Sequence, residues 1–235
     1  MALPTSRRQF IQTTAALGAG LWLGGSRASG KPRSPNERVQ YAAIGVGGKG
    51  RSDSADAAKH GEVIALCDVD AATLAKAAKN PAFKKPNTFA DYRELFDQLG
   101  DQLDAVTVSC PDHNHAPASA IALKRGIACF TQKPLTHSVW EARRLAELAA
   151  EHDVATSMGN QGTANDGLRQ AAAIMKAGHL GNVTEAHIFT NRPVWEQGNP
   201  RPPSAPVPEH VDWDLWLGPA PLRPYAKGVY HDFAW

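Results

Sequence analysis

Val39-Gln40-Tyr41-Ala42-Ala43-Ile44-Gly45-Val46-Gly47-Gly48-Lys49-Gly50 reads as a short apolar strand running straight into G-x-G-x-x-G. In a strand–turn–helix unit that turn carries a dinucleotide pyrophosphate onto a helix N-terminus. Gly45 lets the chain turn sharply, Gly47 lets backbone N–H groups approach the phosphates, and Gly50 lets the following helix sit close on the strand. The unpaired N–H groups and the dipole at the helix start favour the anion. Gly45, Val46, Gly47, Gly48 and Gly50 are therefore the first candidate cofactor-binding residues. A second apolar run, Val63-Ile64-Ala65-Leu66-Cys67, ends in Asp68, eighteen residues beyond Gly50. A carboxylate at the tip of the second strand stands where the adenosine ribose hydroxyls are hydrogen-bonded, and it repels a 2′-phosphate, so NAD is expected ahead of NADP.

Working outward from the turn, residues 71–79 have helical composition and residues 87–90 suit a short third strand. Asp91 begins another helix, which completes one βαβαβ half. A second half follows, with a strand over 103–110, a helix over 116–125 and a strand over 127–130. A helix over 138–152, with Ala142, Leu145, Leu148 and Ala149 at helical spacing, then leads to a strand over 154–158. Strands alternating with helices in two such halves predict an α/β fold with a doubly wound parallel sheet over 39–158. Beyond Gly159 the spacing predicts a helix over 166–177 stopped by Gly178, a strand over 183–190, and a segment dense in proline and tryptophan from Pro193 to Pro224. Only 77 residues follow Met158, and one helix with one strand cannot close a core. A partial second domain, 159–235, is expected, truncated or completed by a partner.

Ahead of the sheet, Ser6-Arg7-Arg8-Gln9-Phe10-Ile11 precedes an uncharged stretch from Thr13 to Gly25 that ends in the small-x-small site Ser26-Arg27-Ala28. Residues 1–28 look like a twin-arginine export signal, with periplasmic or exported localisation to follow. The stretch is too short and glycine-diluted for a stable membrane span. Residues 29–38 read as a tether. The leader holds three arginines and no acid, so its removal takes the net charge from +2 to −1. Such a balance attracts neither nucleic acid nor acidic lipid. Cys67, Cys110 and Cys129 contain no C-x-x-C pair and read as small buried hydrophobes. Export of an already folded chain suits one that acquires a tightly held cofactor first.

The most pointed segment after the turn is Thr131-Gln132-Lys133-Pro134-Leu135, directly after strand five. Lys133 is expected to project from the carboxyl end of the sheet towards the nicotinamide end of the crevice and to serve as a general base. Asn160 and Gln161, just after strand six, sit where polar groups reach the same side. Arg192, Trp195, Tyr230 and His231 are candidate polyol contacts, because aromatic faces and planar donors suit sugar rings. Trp213 and Trp216 read as core or interface anchors. His113 and His115 form an H-x-H without a third ligand at suitable spacing, so no metal is expected.

Gly45 to Gly50, Asp68, Cys110-Pro111-Asp112-His113-Asn114-His115 and Gln132-Lys133-Pro134, taken in order, resemble the Gfo/Idh/MocA family. That family includes glucose–fructose oxidoreductase and inositol dehydrogenase, and Trp213 to Pro219 is similar to an exported subset of it. The resemblance covers residues 39–235. It implies a Rossmann domain followed by an α/β domain on an open, largely antiparallel sheet. It also implies oxidation or reduction of a carbinol carbon of a sugar or cyclitol with NAD or NADP. The family's E-K-P lysine maps to Lys133, as proton-transfer residue or orienter of the substrate hydroxyl. Cys110, Pro111, His115, Gln132 and Asn160 fall where cofactor contacts are expected. Two departures stand out: the usual glutamate is Gln132, and the family's downstream D-x-x-x-H element, which supplies a catalytic histidine in the second domain, has no counterpart before Trp235. Three readings follow: a sugar or polyol oxidoreductase, a glycosidase or epimerase with transient oxidation, and a nucleotide-binding remnant without turnover. The resemblance allows a homo-oligomer in the full-length form.

Overall fold

The computed structural model describes residues 38–191, 200 and 202–229. The leader, most of the tether, and the expected polyol contacts Arg192, Trp195, Tyr230 and His231 lie outside the described residues.

Six parallel strands form the sheet: β1 (Val39–Ile44), β2 (Gly61–Cys67), β3 (Asn87–Phe89), β4 (Ala105–Val108), β5 (Ala128–Gln132) and β6 (Thr156–Gly159). They lie in the order β3-β2-β1-β4-β5-β6, so the order reverses between β1 and β4. This is the doubly wound arrangement expected from the alternation of apolar runs, and it opens a crevice off the carboxyl ends of β1 and β4. Alternate residues of β1 serve opposite faces. Ala42 and Ile44 join the larger core, with Leu95, Phe96, Leu123 and Leu148, while Ala43 joins the smaller one, with Val63, Leu66 and Phe83. The smaller core is covered by α1 (Gly48–His60) and α2 (Ala71–Ala77). The larger is covered by α3 (Tyr92–Leu99), α4 (His115–Lys124) and α5 (Val139–His152). Phe96, Leu66, Leu95 and Leu123 are essentially inaccessible to solvent. Each such side chain contributes about 1.5–3 kcal/mol of burial.

Several helix starts carry their own capping side chains. Asp70 accepts from Ala72 and Thr73 N–H at α2, Asp91 from Arg93 N–H at α3, and Ser138 with Glu141 makes a reciprocal capping box at α5. Helix α1 differs, because Gly47 precedes it and no side chain caps it. Its first N–H groups keep their bonding capacity for a ligand.

After β6 come α6 (Gln161–Ala164) and α7 (Asp166–Lys176), the latter capped by Asn165. Gly178, at φ +76°, turns the chain just beyond α7, as expected. The strand expected over 183–190 is not formed. Those residues carry no regular structure, and Ile188 and Phe189 are 97% and 92% exposed. Among the described residues no strand lies beside them, and β geometry without a neighbour satisfies no backbone groups. Residues 202–229 are irregular apart from α8 (Trp213–Leu217), yet they pack into a third small cluster of Trp216, Leu217, Tyr225 and Ala226. Among the described residues no helix is long and apolar enough to cross a membrane.

Candidate functional site

The glycine turn closes on itself as its spacing requires. Gly45 adopts φ +77°, and a Cβ there would stand 2.5 Å from Cys110 N. At Gly50 a Cβ would lie 1.8 Å from the carbonyl oxygen of Gly45. Any side chain at that point would drive α1 off β1, so the two glycines set the distance between helix and strand. Asp68, immediately after β2, reaches across to the turn. Its Oδ2 accepts from Val46 N–H at 2.9 Å and its Oδ1 from Asp70 N–H at 3.0 Å. Burial raises the Asp68 carboxyl above its ordinary value, and these backbone donors oppose the rise.

Turn and carboxylate face one cavity of about 330 Å³. Gly45, Gly47, Gly48, Lys49 and Asp68 form its floor, with Thr73 and Tyr92 on one flank and Cys110, Pro111 and Asn114 on the other. Leu215 and Trp216, from the far part of the chain, border it as a roof. Burial pushes the Tyr92 hydroxyl and the Cys110 thiol each up to about 12, and it raises the Cys67 and Cys129 thiols too. All four are protonated at neutral pH, so the cysteines offer no thiolate. The cavity suits a dinucleotide's adenosine half: a glycine cradle, an uncapped helix start and a carboxylate at the ribose position.

Not every expected contact reaches this cavity. Val46 is buried and acts through its N–H on Asp68, and Gly50 packs against Gly45. His115 is a correction: it is 1% exposed, with Nδ1 and Nε2 each 2.7 Å from a carbonyl oxygen, those of Pro134 and Cys110. It ties the loop after β4 to the turn after β5, and both nitrogens are engaged on backbone. Its neighbour His113 faces the Trp216 carbonyl instead, at 2.8 Å, so the H-x-H pair does not converge. Among the described residues no group of three metal-ligating side chains occurs.

Gln132 is a second correction, because its side chain is buried and engaged by its neighbours. Its Nε2 donates to Asp53 Oδ2 at 3.0 Å, and its Oε1 accepts from Lys133 N–H at 3.1 Å. Asp53, on α1, also accepts from Ser109 Oγ at 2.8 Å and pairs with Lys49 Nζ. This buried network joins the glycine-turn helix to the ends of β4 and β5. A glutamate at 132 would set two carboxylates against each other, which accounts for the amide at that position. Lys133, one residue on, is exposed at the carboxyl end of β5, and Asn160 is exposed at the end of β6. Both stand on the β4-to-β6 side, away from the adenosine cavity.

The sequence did not single out Thr73, Tyr92, Asn114 and Leu215 for the cavity. Only the loop positions after β3 and β4 offered a signal, through the rule that ligands gather at strand carboxyl ends.

Comparison with known proteins agrees with this geometry. Residues 39–160 match the Gfo/Idh/MocA oxidoreductase family's NAD-binding Rossmann fold, and residues 173–234 match its C-terminal alpha/beta domain. A D-xylose 1-dehydrogenase [NADP(+)] of Haloarcula marismortui is 25% identical over 75% of this chain and 47% of its own. A glycosyl hydrolase family 109 protein of Shewanella sp. MR-4 is 29% identical over 61% of this chain and 36% of its own. The chain thus spans about half or less of these relatives' length. Among solved structures, scyllo-inositol dehydrogenase from Lactobacillus casei with bound NAD(H) and scyllo-inositol aligns with a TM-score of 0.56 and 23% identity, over 63% of this chain and 44% of that one. With the family's Rossmann model spanning more than half of its length, this chain belongs to the NAD-binding Gfo/Idh/MocA oxidoreductases.

Proposed function

We propose that the chain is the nucleotide-binding and lysine-bearing part of an NAD(P)-dependent oxidoreductase acting on a sugar or polyol carbinol, with its cofactor tightly held. The observation that carries the reading is the placement of Lys133. It is exposed at the end of β5, and its backbone N–H is fixed by Gln132, which is itself held by Asp53 from the glycine-turn helix. The nicotinamide, when bound, supplies the hydride chemistry. Lys133 Nζ holds the hydroxyl proton at the reacting carbinol, and Asn160 lies on the same side to orient hydroxyls. Arg192, Trp195 and His231 are proposed as further polyol contacts. Asp68 favours NAD over NADP through its charge beside the ribose position.

Incubation with NAD and a panel of polyols and aldoses, followed at 340 nm, tests the reading. Lys133→Ala is expected to lower turnover about 10²-fold or more while NADH affinity stays within about twofold. A Lys133→Ala chain that turns over normally would remove the lysine from the chemistry.

A second reading, a glycosidase with transient oxidation, draws support from the 29% identity to the family 109 glycosyl hydrolase. It predicts glycoside cleavage with no net accumulation of NADH. Residues 1–28 are proposed as a twin-arginine signal. Paired Arg7→Lys and Arg8→Lys changes should hold the precursor in the cytoplasm, and export of that variant would refute the signal.

A further inference from the structure

The cavity's upper wall comes from a part of the chain far from the glycine turn. Residues 210–218 run over it as a short irregular segment around α8, fastened at both ends to loops that flank β1. At the end of β2 the fastening is mostly backbone: Ala71 N–H donates to His210 O at 2.8 Å, and Asp212 N–H donates to Val69 O at 2.9 Å. Asp70 and Val211 form an antiparallel bridge there. His210 Nδ1 adds a bond to Asp70 Oδ1 at 3.0 Å. After β4, His113 Nε2 and Asn114 Nδ2 both donate to Trp216 O, at 2.8 and 3.1 Å. Since β2 and β4 are the two neighbours of β1, the segment crosses in front of the glycine turn at the point where strand order reverses.

The segment is braced by ring contacts and a hydrogen bond. Trp213 stacks on Trp216 with ring centroids 4.7 Å apart, Tyr225 meets Trp213 edge-on at 5.4 Å, and Trp213 Nε1 donates to Arg223 O at 2.9 Å. It lines the cavity rather than filling it: Trp216 is 2% exposed and Leu215 is half-buried, and both border the 330 Å³ space beneath. The other walls on that side are Val69, Thr73, Ala90 and Tyr92, from the β2 and β3 ends, where the adenosine half belongs.

We propose that residues 210–218 are a strap over the adenosine end of the crevice. Leu215 and Trp216 form the apolar wall of the adenine site, and the nucleotide passes in or out only when the strap lifts. The inference rests on the nucleotide reading of the cavity and adds to it a route by which the cofactor stays bound through many turnovers. A merely adjacent wall contributes contacts, and its loss speeds release alone. A strap is also a barrier to entry, so loosening it speeds association and dissociation together.

The test uses the 235-residue chain with NADH as the probe, in stopped-flow experiments reading nicotinamide emission excited through tryptophan. His210→Ala removes one side-chain fastening whose imidazole is half exposed. Gly218→Ala places a Cβ 2.3 Å from Asn114 Oδ1 and pushes the strap off the β4 loop. Both variants are expected to bind and to release NADH roughly tenfold faster than the parent, with a smaller change in Kd. Leu215→Ala, at a partly exposed site, is expected to speed release alone, and it keeps the wall assignment testable if Gly218→Ala does not fold. Rates within twofold of the parent for His210→Ala and for whichever other variants fold would overturn the strap. Failure of the folded parent chain to bind NADH would instead overturn the nucleotide reading itself, and the strap with it.

Discussion

The floor and the roof of the nucleotide cavity are built on opposite plans. Apart from Asp68, the floor comes from one contiguous hexapeptide, Gly45 to Gly50, whose shape follows from sterics: at Gly45 and Gly50 a Cβ would overlap backbone. The roof is held by partners far away in the chain, with 140 residues separating His210 from Asp70 and 102 separating Trp216 from Asn114. Two of its five fastening bonds run backbone to backbone and two more end on the Trp216 carbonyl, groups that any residue supplies. A surface specified by excluded volume leaves a motif in the sequence, and one specified by backbone pairing leaves almost none.

The sharpest way to separate the two plans is to remove the roof's core. Trp216→Ala deletes a side chain that is 2% exposed, stacks on Trp213 and meets His113 edge-on at 5.1 Å. The expected cost is about 3–5 kcal/mol in urea unfolding. If the roof unfolds independently of the floor, the loss should appear as a separate early transition while the far-UV signal of the sheet and its helices persists. A single cooperative transition would show that roof and floor form one unit.

The buried network that joins α1 to the end of β5 has an electrostatic weak point. Gln132→Glu replaces the amide that donates to Asp53 Oδ2 with a carboxylate, in a place with no room for two negative charges. A loss of about 1–3 kcal/mol is expected. Adding Asp53→Asn to Gln132→Glu restores a donor opposite the new carboxylate and should recover most of that loss. A double-mutant cycle reads the coupling. Additive costs would mean that the network does not join α1 to β5.

These contrasts explain how much was legible beforehand. The six strands, the helices of the sheet and Asp68 at the tip of β2 were readable because alternation, caps and glycines act locally. Helix α7 was readable for the same reason, through Asn165 and Gly178, yet its apolar positions are not buried: Leu168, Ile174 and Met175 are 51%, 46% and 54% exposed. Local signals determine that a helix forms and not what it packs against, and the strand expected over 183–190 finds no neighbour to pair with among the described residues. His115 and Gln132 were expected at the cofactor because of their loop positions. Their actual partners, the Pro134 and Cys110 carbonyls and the Asp53 carboxylate, become apparent only once the strands are aligned. The tryptophans of the 213–216 segment read as anchors, which they are, but nothing in their spacing indicated that Trp216 would also border a cavity.

The smallest expected effect is a slope rather than a step, and it belongs to the roof alone. Burial holds the His113 imidazole below its ordinary value of 6.5, while its Nε2–H donates to Trp216 O. With the folded value depressed, the unfolded chain takes up the proton first as pH falls. The stability due to the neutral ring is therefore complete above about 6.5 and is lost progressively below it. Asp70 and Asp91 titrate lower. At Asp70 burial acts to raise the carboxyl, but the N–H and hydroxyl of Thr73 outweigh it, and at Asp91 the bonds to Arg93 do the same, so both losses come below 3.8. His113→Gln keeps an N–H donor without the titration, so its unfolding free energy should fall less between pH 7 and pH 5 than the parent's. Parallel curves for parent and variant would mean that the ring opens to water on protonation at no cost, and the tie between the β4 loop and the strap would then be insensitive to acid.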